Sequence, residues 1–372
     1  MRALIAVDKF KGTLTAAEVT DHLRPVLESA GVTVDATPLA DGGDGTLEAA
    51  QAAGFSLRAA EVTGPLGGTV SARWALRGTR AIIEMAEASG LALLQRQGGS
   101  VEPATARNAT SMGAGELIGH AVAAGARSIV LGLGGSANTD GGIGMLMGLG
   151  AVVHDARGQR VRDPRGALAH AASVDLSTPL RLLDGVELTV ACDVDNPLTG
   201  PRGAAEVFGP QKGADAQAVG DLDSQLREFA HKLGAADTAA RAGAGAAGGT
   251  GFAALLLGAH MESGADLILD LTGFDAALAQ ADVVITGEGR FDVQTLSGKG
   301  PAVVIERAQR ADLPVFVVCG SADSEVSHAG LAGLFQLTDK APVEQAMSDP
   351  GPVLTAVADD LAEAVLSFRC RR

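Results

Sequence analysis

The segment RALIAVDKFKGTLTAAEVTDHLRPVLESAGVTVDAT (residues 2–37) has the pattern of a strand, a loop, a helix and a second strand. Residues 2–7 are rich in Leu, Ile and Val, which fits a buried strand. Thr15 and Glu18 match a capping box, so we predict a helix over 16–30 that ends at Gly31. Residues 32–37 read as the next strand. Because a crossover helix joins parallel strands, the segment predicts an α/β fold with a parallel sheet.

The last third of the chain repeats the pattern of residues 2–37, whereas the middle of the chain has a different pattern. The last third repeats the alternation of strand and helix, with predicted elements at 282–286, 301–311, 314–318 and 353–368. The middle has short strands, a helix and a further strand, predicted at 62–85, 110–124 and 128–133. We therefore predict a Rossmann-like parallel-sheet domain built from both chain ends, residues 1–65 and 283–372. An inserted mixed α/β domain would span 66–282, with the active site in the cleft between the two domains.

Charge and composition limit the partners. The chain has 372 residues, with 44 acidic against 29 basic side chains and a net charge of −15. Such a charge repels a phosphate backbone, so we expect no nucleic-acid partner. The longest uncharged stretches are crowded with Gly, whereas a membrane span needs about 20 mainly apolar residues, so we expect no membrane contact.

The three cysteines, Cys192, Cys319 and Cys370, are far apart and show no metal-ligand spacing. A disulfide framework or a zinc site is therefore not expected, and Cys192 reads as a buried, inert thiol. We expect a cytoplasmic protein, monomeric or homodimeric, whose partners are small molecules.

Charged and glycine-rich loops follow the predicted strands. In open parallel sheets, ligands bind outside the carboxyl ends of the strands, so a site is expected in these loops. The loops span residues 8–12, 38–46, 132–142, 191–197 and 286–292. Their charged side chains are Asp8, Lys9, Lys11, Asp41, Asp44, Asp140, Asp193, Asp195, Glu288, Arg290 and Asp292.

Glycine beside acidic residues suits phosphate chemistry. Backbone N–H groups exposed by Gly can surround phosphate oxygens, and a following helix N-terminus adds a positive dipole. Carboxylates hold Mg²⁺, usually together with substrate phosphates, and Lys supplies positive charge near the transferring group. The pattern predicts phosphoryl transfer.

Each loop also has a purely structural interpretation. Asp41 and Asp44 fit a solvated turn, and residues 132–142 fit a helix entry without a ligand. Asp193 and Asp195 fit an Asx-turn before a proline. The presence of five such loops, each at a predicted strand end, favours the functional interpretation.

Nucleotide-binding fingerprints are incomplete. No Walker A motif occurs, because Gly298-Lys299 is followed by Gly300 instead of Ser or Thr. Residues 243–248 match G-x-G-x-x-G but follow a helical pattern. Residues 132–137 make a partial match after a predicted strand, which leaves an NAD-dependent dehydrogenase of a small hydroxy acid as an alternative. Comparing the binding of NADH and ATP analogues separates the dehydrogenase from an enzyme of phosphoryl transfer. A non-catalytic protein that binds sugar acids is a third possibility, and it would show binding without phosphate transfer.

Seven motifs occur in order along the chain: DKFKG (8–12), PLADGGDGT (38–46), the segment 132–149, ACDVDNPL (191–198), FGPQKG (208–213), the segment 243–251, and TGEGR (286–290). Together they resemble the bacterial glycerate kinase family, the type unrelated to ribokinase-like sugar kinases, over nearly the whole chain. The resemblance implies ATP-dependent phosphorylation of D-glycerate by a two-domain α/β enzyme with a Rossmann-like first domain. ATP and Mg²⁺ are the implied cofactors.

The chain departs from the family's usual motifs at several positions. Val7 and Lys9 stand where Pro and Ser are usual in the first loop. Asn138 and Thr139 are exchanged relative to the usual order. Asp44 stands where Glu is commoner, which gives the same charge a shorter reach.

We assign roles to the motif residues by their chemistry. The predicted catalytic residues are Asp193, Asp41, Asp8 and Lys11, with one of the three aspartates accepting the proton of the attacking hydroxyl. The predicted substrate- and phosphate-binding residues are Gly134, Gly135, Ser136, Asn138, Asp140, Lys212, Glu288 and Arg290. Asp44, Asp195 and Asp292 are the predicted Mg²⁺ ligands. The residues alone leave both hydroxyls of glycerate open as acceptor; of the two products, we expect the 2-phosphate.

Overall fold

The computed structural model describes residues 1–40, 42–96, 98–292, 295, 300–323 and 330–369. Contacts between Cα atoms divide the chain into two compact units. The first unit comprises Met1–Ala40 and Ala265–Arg372, and the second comprises Asp41–Gly264. Both ends of the chain thus belong to one unit, and the middle of the chain forms the other.

The strands, numbered in chain order, are β1 Arg2–Val7, β2 Thr33–Ala36, β3 Ser56–Thr63, β4 Thr69–Arg77, β5 Arg80–Glu84, β6 Ser128–Gly132, β7 Val152–His154, β8 Arg160–Val161, β9 Ser173–Asp175, β10 Glu187–Ala191, β11 His260–Glu262, β12 Val283–Phe291, β13 Val315–Ala322 and β14 Gly333–Gln336.

The α-helices are α1 Ala16–Ser29, α2 Thr46–Ala52, α3 Ala86–Ser89, α4 Leu91–Arg96, α5 Pro103–Asn108, α6 Met112–Ala123, α7 Ile143–Gly148, α8 Ala167–His170, α9 Ser177–Leu182, α10 Ala204–Phe208, α11 Ala216–Lys232, α12 Ala236–Ala239, α13 Ala246–Leu256, α14 Gly264–Thr272, α15 Phe274–Leu278, α16 Gly300–Arg310, α17 Val343–Ser348 and α18 Pro350–Arg369. Short 3₁₀ turns occupy Pro210–Lys212 and Leu337–Asp339. Among the helices of the described residues, none is long and apolar enough to cross a membrane.

The first unit contains a parallel sheet with strand order β14-β13-β12-β1-β2. Its central strand pair aligns Leu4 with Val284. Successive residues of β1 face opposite sides, so Ile5 packs in one apolar cluster and Leu4 in another. Helices cover both sides, which explains why the strands read as continuous apolar runs instead of alternating patterns. The predicted α/β class with a parallel sheet is confirmed.

Helix α1 forms where its local signals place it. The Thr15 hydroxyl accepts from the Glu18 amide at 3.2 Å, and the Thr15 amide donates to Glu18 Oε2 at 2.8 Å, so the predicted capping box is present. Val19, Leu23 and Leu27, spaced four residues apart, are buried against the sheet. The helix ends before Gly31, whose φ of 84° is the left-handed conformation that Gly tolerates best.

The second unit contains a six-stranded mixed sheet with order β11-β10-β6-β5-β4-β3 and a small antiparallel sheet with order β8-β7-β9. Strands β5, β6, β10 and β11 are parallel, whereas β3 and β4 pair antiparallel. Parallel strands end at the same edge of a sheet, so the loops after β5, β6 and β10 leave the sheet side by side.

The borders of the two units differ from the predicted borders at 65/66 and 282/283. Strand β3 pairs with β4 from Ser56 to Thr63, which places residues 42–63 with the second unit. Residues 265–282 lie with the first unit, because Leu269 and Phe274 pack in the same apolar cluster as Leu4. Neither pairing has a local signal in the sequence.

Candidate functional site

The glycine loop (residues 132–142), which follows β6, is packed backbone to backbone against the Asp44 turn (residues 42–45). A Cβ added to Gly132 would lie 2.2 Å from the carbonyl oxygen of Gly42, and one added to Gly134 would lie 2.4 Å from Gly43 Cα. Any side chain at these two positions would therefore push the two loops apart. A Cβ on Gly135, which has a φ of 70°, would lie 3.5 Å from Asp44 Oδ1. The predicted residues Asp44, Gly134 and Gly135 are thus brought together.

Asp140 anchors the glycine loop from inside. It is 5% exposed, and its Oδ2 accepts from the amide and the hydroxyl of Ser111, both at 2.8 Å. Its Oδ1 accepts from Asn138 Nδ2 at 2.8 Å and from the Gly142 amide at 3.0 Å. Both oxygens of the carboxylate thus accept hydrogen bonds from donors of the protein itself. Asp140 therefore shapes the loop and the entry to α7, instead of presenting its oxygens to a ligand as its predicted role requires.

Asn138 is fully buried and ties the glycine loop to α13. Besides Asp140, its Nδ2 lies 3.0 Å from the Ala247 oxygen and 3.1 Å from Thr250 Oγ1. In the part of the chain that the structure describes, Asn138 Oδ1 and Thr139 Oγ1 are buried without a hydrogen-bond partner. The two residues whose order departs from the family motif therefore hold the polar atoms that the fold itself leaves unsatisfied.

Lys212 approaches the same loop from the 3₁₀ turn at Pro210–Lys212. The side chain is buried, and Nζ donates to the Asn138 carbonyl oxygen at 2.6 Å and to Ser136 Oγ at 3.0 Å. Burial lowers the pKa of the Lys212 ammonium to about 7, against the opposing attraction of the Asp140 carboxylate. The predicted Ser136, Asn138, Asp140 and Lys212 therefore form one buried network, in which Lys212 supports the loop from behind.

The G-x-G-x-x-G segment at 243–248 forms a tight turn against the glycine loop. Ala247, Gly248 and Gly249 have positive φ values, and a Cβ on Gly248 would lie 2.1 Å from the Asn138 carbonyl oxygen. The Gly141 amide donates to the Gly248 oxygen at 2.9 Å. These glycines allow close packing between the two loops. Their packing role accounts for the G-x-G-x-x-G pattern at 243–248 without a bound dinucleotide.

Asp193 and Asp195 follow β10 and are both exposed, but they differ in their partners. Asp193 Oδ1 accepts from the amide of Gly264, the last residue of the second unit, at 2.9 Å. Asp195 forms an ion pair with Arg202 at 2.7 Å, which lowers the pKa of the Asp195 carboxyl. Cys192 is partly buried instead of fully buried as predicted, and this burial raises the pKa of its thiol to about 11.

The predicted residues of the first unit lie near the carboxyl ends of β1 and β12. Asp8 follows β1, its amide donates to the Gly287 oxygen at 2.8 Å, and Lys11 is exposed. A Cβ on Gly289 would lie 3.1 Å from the Lys11 amide nitrogen, so the first loop runs along β12.

Residues 287–290, predicted as a loop, instead extend β12 to Phe291. Glu288 pairs in register with Cys319, and Arg290 pairs with Ser321. The Arg290 guanidinium is exposed and lies 2.9 Å from Asp323. Asp292, just beyond the strand, accepts from the Thr295 amide at 3.0 Å.

Asp41 lies outside the described residues. Among the residues that are described, no group of three or more His, Cys, Asp or Glu side chains is placed to hold a metal ion.

Glu84, which the sequence did not single out, lies beside the glycine loop. It ends β5 opposite Gly132, it is 5% exposed, and its Oε1 accepts from the Leu47 amide at 2.6 Å. Burial raises the pKa of the Glu84 carboxyl to about 7, with further contributions from Glu48, Glu87 and Asp44. The signal was an acid at the end of an apolar strand, which reads equally well as an ordinary strand terminus.

Parallel sheets with a glycine loop and acidic residues at the strand ends are typical of α/β enzymes that bind phosphate-bearing ligands. Comparison with known proteins defines the group more closely. The sequence model of the glycerate kinase family matches residues 3–366. The chain belongs to the glycerate kinase family, as its motifs predicted.

Individual relatives and a solved structure also support membership of the glycerate kinase family. The chain is 40% identical to the glycerate kinase of Bacillus subtilis (strain 168), with 98% of each chain covered. It is 40% identical to the glycerate 2-kinase of Escherichia coli (strain K12), covering 88% of this chain and 87% of the relative. A crystal structure assigned as glycerate kinase 2 from Salmonella typhimurium LT2 superimposes with a TM-score of 0.82 at 38% identity and covers 99% of each chain.

Proposed function

We propose that this chain transfers the γ-phosphoryl group of ATP to the 2-hydroxyl of D-glycerate. The observation that carries the proposal is the family match over residues 3–366, which includes every motif around the glycine loop. The relative of Escherichia coli, 40% identical, is named glycerate 2-kinase, and this supports the 2-hydroxyl as the acceptor.

The described geometry supports a division of roles among the predicted residues. Backbone N–H groups of the glycine loop bind phosphate or the substrate carboxylate, with the exception of groups such as those of Gly134, Gly141 and Gly142, which donate within the protein. Asp140 and Lys212 hold the loop in place. Asp193 is exposed at the carboxyl end of β10 and accepts the hydroxyl proton, with Asp41 and Asp8 as the other candidates. Lys11 and Arg290 are exposed cations that neutralise phosphate or carboxylate charge.

Carboxylate side chains in these loops are suitable ligands for Mg²⁺. We propose Asp44 or Asp292 as a carboxylate ligand of the ion; the third predicted ligand, Asp195, forms an ion pair with Arg202. When bound with the nucleotide, the ion supplies positive charge to the phosphoryl oxygens. Removing Mg²⁺ with a chelator abolishes turnover under this proposal, and adding it back restores turnover.

The proposal is tested by measuring ADP release from the purified chain with ATP and Mg²⁺. D-glycerate is expected to stimulate ADP release, whereas L-glycerate serves as the stereochemical control. Oxidation of D-glycerate with NAD⁺, in the absence of ATP-dependent turnover, would instead favour the dehydrogenase alternative. Binding of glycerate without either reaction would favour a non-catalytic binding protein.

An enzyme that depends on ATP needs access to the ATP pool of the cell, and we place the chain in the cytoplasm for that reason. We propose that it works as a monomer or a homodimer. Cell fractionation and light scattering on a sizing column test these two points.

A further inference from the structure

Glu84 holds the N-terminus of α2. The helix begins after Gly45, which has a φ of 102° and offers no capping side chain. The first helical amides therefore need another acceptor. Glu84 Oε1 accepts from the Leu47 amide at 2.6 Å, and a carboxylate at this end of a helix is also favoured by the helix dipole.

The start of α2 is joined to the Asp44 turn. The amide and the hydroxyl of Thr46 both donate to the Gly43 carbonyl oxygen, at 3.2 and 2.8 Å. Holding Leu47 therefore also fixes where the preceding turn lies.

The Asp44 turn in turn contacts the glycine loop. Gly43 Cα would be 2.4 Å from a Cβ on Gly134, and β5 and β6 align Glu84 with Gly132. Glu84 thus stands at the base of two loops that carry predicted binding residues, and it is bonded to the helix that follows the Asp44 turn.

The charges around Glu84 indicate that its hydrogen bond to the Leu47 amide, and not its negative charge, contributes to the local structure. Asp44, Glu48 and Glu87 are all negative and disfavour a further charge, and Arg73 pairs with Glu48 and Glu87. Since its charge is opposed from several sides, the contribution of Glu84 comes from its reach to the Leu47 amide.

We propose that Glu84 is a positioning residue for phosphoryl transfer, which holds the Asp44 turn against the glycine loop through its bond to the Leu47 amide. The inference rests on the proposed function. It assigns Glu84 no contact with substrate.

Two substitutions separate reach from charge. Glu84→Gln keeps the reach and an acceptor oxygen but removes the charge, whereas Glu84→Asp keeps the charge but is too short to reach Leu47. We expect Glu84→Gln to retain kcat within about threefold of wild type. Glu84→Asp should lower kcat by about 10–100-fold, because a displacement of about 1 Å at an active site can cost about 10²-fold.

Glu116 provides a matched control in the same unit. Its Oε2 accepts from the Thr63 amide at 2.6 Å, the same bond length, but at strand β3. Glu116→Asp should lower the melting temperature about as much as Glu84→Asp while leaving kcat within about threefold of wild type.

The outcomes are decisive in each direction. An inactive Glu84→Gln shows that the bond alone is insufficient and overturns the proposal, as does a Glu84→Asp with near-normal kcat. A wild-type chain without ATP-dependent turnover on D-glycerate defeats the proposed function instead. In that case amide hydrogen exchange of residues 43–48 still tests whether Glu84 holds the Asp44 turn in place. Faster exchange in Glu84→Asp but not in Glu84→Gln supports this role, and unchanged exchange in both variants contradicts it.

Discussion

The Lys212 ammonium donates to the main-chain oxygen of Asn138 at 2.6 Å, inside a part of the second unit that solvent does not reach. On the far side of Asn138, its amide group donates to the Asp140 carboxylate at 2.8 Å. A buried amine and a buried carboxylate thus hold one residue of the glycine loop between them. The loop is shaped before any ligand arrives, which is how a rigid binding loop reduces the entropy lost on binding.

Lys212 makes the stability of the chain depend on pH. Its pKa is about 7 in the folded chain and close to 10.5 when unfolded, so the unfolded state binds more protons between these values. Stability contributed by this group therefore rises as pH rises from 7 towards 10. Between pH 7 and pH 9, the free energy of unfolding should increase by about 2 kcal/mol relative to Lys212→Met, which lacks the titrating group.

Urea unfolding of both proteins at the two pH values measures this difference. Lys232→Met is the control, since Lys232 also donates to a backbone oxygen, that of Ala171 at 2.8 Å, but is only half-buried. Parallel pH profiles for wild type and Lys212→Met would contradict the depressed pKa.

Gly135→Val should reduce turnover to less than a tenth of wild type, which corresponds to a loss of more than about 1.4 kcal/mol in transition-state stabilisation. The side chain would stand in the left-handed region, with its Cβ 3.3 Å from Ala86 and 3.5 Å from Asp44 Oδ1. Backbone strain alone costs about 1–3 kcal/mol of stability.

Gly158→Val separates strain from function. Gly158 has a φ of 74° and nothing within 4 Å of an added Cβ, so it carries the strain without the loop. The two variants should lose similar stability in thermal melts, but only Gly135→Val should lose activity. Turnover above a tenth in Gly135→Val would remove this position from the phosphate-binding loop.

Asp193→Asn tests the proposed proton acceptor. Asn preserves an oxygen for the Gly264 amide, so the melting temperature should barely change. Turnover with ATP and D-glycerate should fall by about 10²–10⁴-fold, the usual contribution of general acid–base catalysis. If Asp193 instead bound Mg²⁺, raising the Mg²⁺ concentration would recover part of the activity.

The paired control is Asp195→Asn. Asp195 is exposed and bonded to Arg202, and exposed ion pairs contribute only about 0–1 kcal/mol. Steady-state kinetics should therefore be close to wild type. Near-normal turnover in Asp193→Asn would transfer the role of proton acceptor to Asp41 or Asp8.

Asp140→Asn should destabilise the second unit. The amide group would face donors from Ser111, Asn138 and Gly142 that now donate to a carboxylate, and a buried unsatisfied polar group costs about 1–3 kcal/mol each. Asp163→Asn, at an exposed pair with Arg165, should cost less than about 1 kcal/mol. Equal denaturation midpoints for the two variants would show that Asp140 does not anchor the loop.

The sequence predicted best the parts of the fold that local interactions determine. The Thr15–Glu18 capping box and Gly31 define both ends of α1 within a few residues. The extension of β12 through Arg290 has no local signal, because two glycines and two charges interrupt the apolar run. It arises from pairing with β13, where Glu288 meets Cys319.

The site shows the same limit. Sequence identified the loop that holds Asn138 and Asp140, because glycine and acid clusters at strand ends are visible in the residues, and it identified Lys212 through a separate motif. It did not identify which side chains turn inwards. That direction depends on Ser111, 29 residues before Asp140 in the chain, and on the backbone of the loop itself. Glu84 was missed for a similar reason, since its partner Leu47 lies 37 residues away.

Phosphorus NMR of the reaction product tests the central claim most directly. The purified chain, incubated with ATP, Mg²⁺ and D-glycerate, should yield a phosphomonoester whose phosphorus couples to a single carbon-bound proton, as a phosphate on the 2-hydroxyl requires. Coupling to the two protons of a CH₂ group would assign the phosphate to the 3-hydroxyl. The absence of any phosphoglycerate, with ATP intact, would contradict the account as a whole.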